Sequence, residues 1–315
     1  MTQRTKVAII GAGAVGTSTA YALLIKRIAG EVAIYDVNKA KVEAEVLDLA
    51  HGSQFTSPSS VYGGDDIEVV RNSDVVVITA GAKQAPGQTR LDLAATNVKI
   101  LQKLMPDLLR LAPDAIFLLV TNPCDVLAYA AVQISGLPAN RVFSSGTVLD
   151  SSRLRWQLAE RLNISIESVH AMIVGEHGDS EFALWSEAKI GPVKLSEWRL
   201  GNSAPLALGE LEEIADSVKN AAYKVIEGKG ATNYAIGLSA ARIVEAILRD
   251  ESVILPVSSV IKDYLGVSDV ALSVPTVVNR QGAERTIPME MSANELGKFI
   301  ASAEALKKTI AAVGL

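Results

Sequence analysis

A chain of 315 residues exceeds the usual reach of one hydrophobic core and predicts two domains. With 49% apolar and 21% charged residues it is globular rather than disordered. A formal charge of −5 speaks against nucleic acid or an anionic membrane surface as partner, and no uninterrupted apolar run is long enough to span a bilayer.

The chain opens with Arg4 and Lys6 before "VAIIGAGAV", the basic front and short apolar run that a secretory signal also offers. Three glycines at turn spacing and an amphipathic continuation favour a strand over 6–10 and a helix over 14–27. "EVAIYD" (31–36) reads as a second strand, followed by a helix from Lys39 to Ala50. "DVVVITA" (74–80) is a β-branched run suited to a parallel strand buried on both faces. A polar loop, "GAKQAPGQTRLDL", follows directly and leads into a long helix ending near Leu109. "AIFLLVT" (115–121) is a further buried strand, halted at Asn122-Pro123. This alternation predicts an α/β doubly wound parallel sheet over residues 1–148.

Beyond residue 148 the rhythm changes to an α+β domain over 149–315. Helices are expected at roughly 150–162, 207–228 and 232–249, and strands in "SVHAMIV" (168–174), "SVILPVSSV" and "VALSVPTVV". The last helix starts at a capping box, Ser292 with Glu295. Leu296, Phe299, Ile300, Ala303, Leu306 and Ile310 trace its apolar face.

Gly11-Ala-Gly13-Ala-Val-Gly16 lies between the first strand and first helix, where glycines permit a tight turn and close approach of a pyrophosphate. Asp36 ends the second strand, positioned to accept hydrogen bonds from ribose hydroxyls and to repel a 2′-phosphate. The pair predicts a Rossmann-type site for NAD rather than NADP.

Of the histidines, His51, His170 and His177, none has zinc-site spacing, and the single cysteine, Cys124, allows no intrachain disulfide; no metal is expected. A lone cysteine fits a reducing compartment, with the cytoplasm as default, and Cys124 itself reads as packing. His177 sits in a Gly-flanked loop, "VGEHGDSE", after a strand. Asp150 and Arg153, three apart, share one helix face and could serve His177 and a substrate carboxylate, or be an ordinary surface pair; Arg155 projects roughly 200° away. A Tyr-x-x-x-Lys reading is confined to Tyr35–Lys39, inside the cofactor strand, and is set aside.

The set "GAGAVG", "GAKQAPGQTRLDL", "VTNPCDV", "GTVLDSSRLR", "GEHGDSE" and "GKGATNYAIG", in order and nearly end to end, resembles the lactate/malate dehydrogenase family, on its L-lactate side. The resemblance implies hydride exchange between NADH and pyruvate, with His177 as proton donor and acceptor. It makes Asp150 the partner of the imidazolium, Arg153 the clamp on the substrate carboxylate, and Arg90 the group that swings in on a loop hinged near Pro86-Gly87. Asn122 and Thr232 would line the substrate. Val15, Asp36, Lys41, Gly81, Ala82, Val120, Asn122, Ser145 and Ile236 fall on positions that contact the cofactor. Gln84, neutral where malate enzymes carry Arg, implies pyruvate over oxaloacetate. Arg155 and His170 correspond to a fructose 1,6-bisphosphate site between subunits, and a homotetramer is implied. A malate dehydrogenase and a non-catalytic NAD-binding sensor are the competing readings.

Overall fold

Short β-branched runs with no polar face can satisfy their backbone only inside a sheet covered on both sides, and the computed structural model builds such a sheet. It describes residues 5–56, 59–82, 87, 89–199, 201 and 204–315. Six strands run parallel: β1 (Lys6–Ile10), β2 (Glu31–Tyr35), β3 (Ser60–Gly64), β4 (Val75–Ile78), β5 (Ile116–Leu119) and β6 (Val142–Ser144). Their order is β6-β5-β4-β1-β2-β3, reversing direction of growth beside β1. Ligands of such sheets bind in the crevice at that reversal, beyond the carboxyl ends of the strands. All residues of β4 and β5 are buried, as their apolar runs require.

Helices α1 (Ala14–Ile25), α2 (Lys39–His51), α3 (Arg90–Leu111) and α4 (Cys124–Ser135) connect these strands or follow them. The polar loop before α3 ends in a capping box: Thr89 accepts from the Asp92 amide at 3.1 Å, and Asp92 accepts from Thr89 N. Arg90 is the first residue of that helix.

The second half holds α5 (Val148–Leu162), short strands β7 (Val169–His170), β8 (Ile173–Val174), β9 (Phe182–Ala183), β10 (Lys189–Ile190) and β11 (Val193–Lys194), then α6 (Leu208–Lys229) and α7 (Tyr234–Leu248). After these come β12 (Val253–Leu255), β13 (Ser258–Ile261), β14 (Val270–Ser273), β15 (Thr276–Asn279), β16 (Gly282–Thr286) and α8 (Ala293–Ala312).

Several expectations are corrected. The strand expected over 168–174 is two, in different sheets: β7 pairs with β10 and β8 with β9. "VILPVSSV" and "VALSVPTVV" each divide at a proline, Pro256 and Pro275, which has no N–H to continue a ladder. Before Pro256, β12 joins the small sheet β12-β15-β16; after it, β13 pairs antiparallel with β6 and carries β14, extending the main sheet to eight strands. On α8, Phe299, Ala303, Leu306 and Ile310 are buried, but Ile300 is exposed and Ser302 is fully buried instead.

Candidate active site

Gly11 has φ +109°, a conformation that side chains rarely adopt, and the next helical turn comes very close to it. A Cβ on Gly16 would lie 2.0 Å from the Gly11 carbonyl oxygen, whereas one on Gly13 would meet nothing within 4 Å among the described residues. Gly13 thus faces open space at the N-terminus of α1, which has no side-chain cap and no acidic residue in its first turn. A pyrophosphate suits amides left in this state. The turn is tied to β2, because Asp36 Oδ2 accepts from Ala12 N at 2.7 Å and Oδ1 from Asn38 N at 2.9 Å.

These residues line a cleft of about 1570 Å³, above the usual range for one small ligand. Val15, Lys41, Gly81, Ala82, Val120 and Asn122 line it too, as do Arg90, Asp150, Arg153, His177 and Thr232. Two expected cofactor positions do not. Ser145 is buried, its amide bonded to the Leu119 carbonyl, and Ile236 packs half-buried on the sheet's core. Gln84 and Pro86 lie outside the described residues.

The chemistry of the cleft is concentrated on Asp150. Its side chain is only 2% exposed, three residues into α5; Oδ1 accepts from Arg153 Nη1 at 2.7 Å and Oδ2 lies 2.7 Å from His177 Nδ1. One carboxylate thus fixes both a guanidinium and an imidazole. Burial would raise its pKa, but the His177 and Arg153 charges outweigh this and hold it below the ordinary value. Burial would likewise lower the His177 pKa. The Asp150 charge and hydrogen bond, reinforced by Glu181 and Asp125, reverse the direction and push it up to about 9. With Nδ1 engaged, Nε2 is the nitrogen left for a ligand in the cleft.

Arg90 already reaches across the cleft: its Nη1 lies 2.8 Å from Asp179 Oδ2, both side chains being more than half exposed. Asn122 lies at the β5–α4 turn, its carbonyl accepting from Asn97 Nδ2 at 2.7 Å. Asn97 Oδ1 also accepts from Ala82 N at 2.7 Å, joining the two loops that floor the cleft.

Sequence reasoning passed over three carboxylates here. Glu181 stands 3.9 Å from His177 Nδ1, and burial pushes its pKa upward. Asp179 holds Arg90, and Asp125 supports the histidine loop from below. Glu181 and Asp179 follow His177 within four residues, and Asp125 is an isolated acid opening the apolar helix "CDVLAYAA". Asp150, His177 and Glu181 place ligand atoms within 4.8 Å of one another, but the first two are already spent on each other and on Arg153.

Arg155 and His170 lie elsewhere, lining a separate cavity of about 480 Å³ with Glu187 and Ser252. Arg155 Nε donates to the Ala171 carbonyl at 2.8 Å, and His170 is exposed.

Similarity to known proteins extends over both halves of the chain. Residues 5–144 match the lactate/malate dehydrogenase NAD binding domain, and residues 147–314 match the alpha/beta C-terminal domain of that family. The chain is 51% identical to an L-lactate dehydrogenase of Bifidobacterium animalis subsp. lactis, covering 98% of this chain and 97% of that one. It is 45% identical to an L-lactate dehydrogenase of Clostridium botulinum, covering 97% and 96%. Its fold superposes on a minor L-lactate dehydrogenase of Enterococcus mundtii in ligand-bound form with a TM-score of 0.95, at 41% identity and 99% coverage of both chains. The chain belongs to the lactate/malate dehydrogenase family.

Proposed function

We propose that the chain is an NAD-dependent L-lactate dehydrogenase, interconverting pyruvate and (S)-lactate. The observation that carries this reading is the Arg153–Asp150–His177 set, closed by two 2.7 Å contacts inside a cleft that also contains the glycine turn. When bound at that turn, NADH supplies the hydride for the substrate's carbonyl carbon. The protein supplies orientation, charge and the proton. Protonated His177 donates from Nε2 to the developing alkoxide, and Asp150 stabilises the imidazolium and fixes its ring. Arg153 pairs with the substrate carboxylate, a planar fork against a planar anion. Arg90 leaves Asp179 for the carbonyl oxygen and stabilises its growing charge. In the reverse direction neutral His177 accepts the hydroxyl proton. Asn122 and Thr232 bound the substrate, and Gly11, Gly13, Val15, Gly16, Asp36, Lys41, Gly81, Ala82 and Val120 hold the cofactor.

Gln84 separates pyruvate from oxaloacetate. A second substrate carboxylate would be desolvated beside a neutral amide, costing about 3–5 kcal/mol, or roughly two to four decades in rate. Following NADH absorbance with each acid should show pyruvate strongly preferred, and Gln84→Arg should reverse the preference. Faster turnover of oxaloacetate by the wild type would overturn the assignment, and no turnover of either would favour a binding protein.

The enzyme is cytoplasmic and acts as a homotetramer on this reading. Among the described residues no helix is long and apolar enough to cross a membrane. The Arg155–His170 cavity, paired across a twofold, takes fructose 1,6-bisphosphate as activator. Lowering of the pyruvate KM by the bisphosphate between about pH 5 and 8 tests this, and an unchanged KM refutes it.

A further inference from the structure

His177 acts through its ring, but the ring's origin is set by the backbone of the loop that carries it. Successive amides of that loop are each taken by a different partner. Gly175 N donates to the Ser273 carbonyl at 3.0 Å, Glu176 N to Ser302 Oγ on α8 at 2.8 Å, and His177 N to Asp125 Oδ2 on α4 at 2.8 Å. The third contact differs from the others, because a carboxylate only 1% exposed is used to hold one amide. Its other oxygen, Oδ1, makes no close hydrogen bond among the described residues, and the buried Ser258 hydroxyl on β13 is the group that faces the carboxyl and favours its charge. Burying a charge this incompletely compensated is costly, and a fold that needed only packing there would be better served by an apolar side chain. Burial accordingly pushes the Asp125 pKa up to about 6, against the favourable effects of Ser258 and His177.

We propose that Asp125 is a positioning residue for proton transfer, its Oδ2 fixing the His177 backbone while Asp150 fixes the His177 ring. The two acids grip the histidine at opposite ends: one at its main-chain nitrogen, one at Nδ1. Neither grip alone determines where Nε2 points. Asp125 is the second residue of α4, whose first, Cys124, follows Asn122-Pro123, so the segment that brings Asn122 to the cleft also locates the proton donor. This role rests on the reading of His177 as proton donor.

On this proposal Asp125 is needed first as a hydrogen-bond acceptor, its charge contributing less. Asp125→Asn keeps an oxygen for His177 N and turns its amide toward Ser258 Oγ, which can accept from it. It should keep kcat for pyruvate reduction within about threefold of wild type. Asp125→Ala, and Asp125→Val as a version that fills the space, leave the amide unheld. Displacement of a reacting group by about 1 Å costs on the order of a hundredfold, so kcat should fall by that amount with the NADH dissociation constant unchanged. A solvent deuterium isotope effect on kcat should appear or grow in these variants as proton transfer becomes limiting. The inference is overturned if Ala or Val retains kcat, if their loss comes with equally weakened NADH binding and no isotope effect, or if folded Asp125→Asn is itself crippled. That last measurement decides the matter even where Ala and Val do not fold. A wild type inactive with pyruvate would instead refute the functional reading, independently of Asp125.

Discussion

The glycine turn and the histidine loop border one cleft, yet they are built by opposite means. At the turn the working groups are backbone: Gly16 is small because the Gly11 carbonyl leaves no space, and Gly13 is bare toward the open side. Its carboxylate, Asp36, also ties the turn in place through Ala12 N and Asn38 N. At the loop the working groups are side-chain charges. Asp150 is almost fully buried, and its charge is tolerable only because Arg153 and His177 each occupy one oxygen. A backbone site tolerates changes of charge and fails on changes of shape; a charged site does the reverse.

The largest effect should therefore come from removing the proposed proton donor without altering shape elsewhere. His177→Ala should lower kcat for pyruvate reduction by about three decades, while NADH binding by fluorescence titration stays near wild type. A comparable loss of NADH affinity would show that the two regions are not separable. Asp150→Asn ranks next, at about two decades, and carries a pH signature. On the proposed mechanism pyruvate reduction needs protonated His177, so its kcat/KM should be flat at low pH and fall as pH rises through the raised pKa of about 9. Lactate oxidation needs the neutral ring and should rise over the same interval. Losing the Asp150 charge removes the first of the interactions that offset burial, so both inflections should move to lower pH in Asp150→Asn. An unmoved inflection would mean that Glu181 and Asp125 alone set the histidine.

The contrast also explains what could be read in advance. The turn is local: strand, three glycines, helix and the acid after the second strand occur within one short stretch, and the structure keeps that order. Asp150 and Arg153 were accessible for the same reason, since helical spacing places residues three apart on one face. Their meeting with His177 is a long-range contact that periodicity cannot supply, and there the motif resemblance gave the pairing. Asp125 was missed because an acid opening an apolar helix looks like an ordinary dipole partner until the fold brings the His177 amide to it. Strand division at Pro256 and Pro275 was visible as proline. Which sheet each half joins was not, because that depends on β6 presenting its edge to β13. Ile300 was misplaced because Ser302, in the same helix, is buried to hold Glu176 N, and hydrophobicity does not register that use.

On the backbone side, Gly16→Ala should act through shape. With a Cβ 2.0 Å from the Gly11 oxygen, α1 must move away from the turn. NADH affinity should weaken by about tenfold, and the melting temperature should fall by several degrees, for an overpacking cost of about 1–3 kcal/mol. The pH inflection of pyruvate reduction should stay where the wild type has it, because nothing near Asp150 changes. A shifted inflection would couple the two regions and weaken the contrast.

Asp36→Asn should have the smallest effect and tests the contrast most finely, since Asp36 is the carboxylate in the backbone site. An Asn oxygen can replace only one of the two acceptors now used by Ala12 N and Asn38 N, so the turn should loosen slightly. If the carboxylate's main work is to hold backbone, NADH affinity should fall by a few fold while discrimination against NADPH persists. If its charge is what excludes a 2′-phosphate, NADH affinity should hold and NADPH should gain about tenfold, the size of an unscreened interaction of roughly 1–2 kcal/mol at a partly exposed site. Repeating the NADPH titration in high salt separates the two, because only the charge effect is screened. We expect the gain in NADPH affinity and its loss in salt; a fall in both affinities with no salt dependence would make Asp36 part of the scaffold alone.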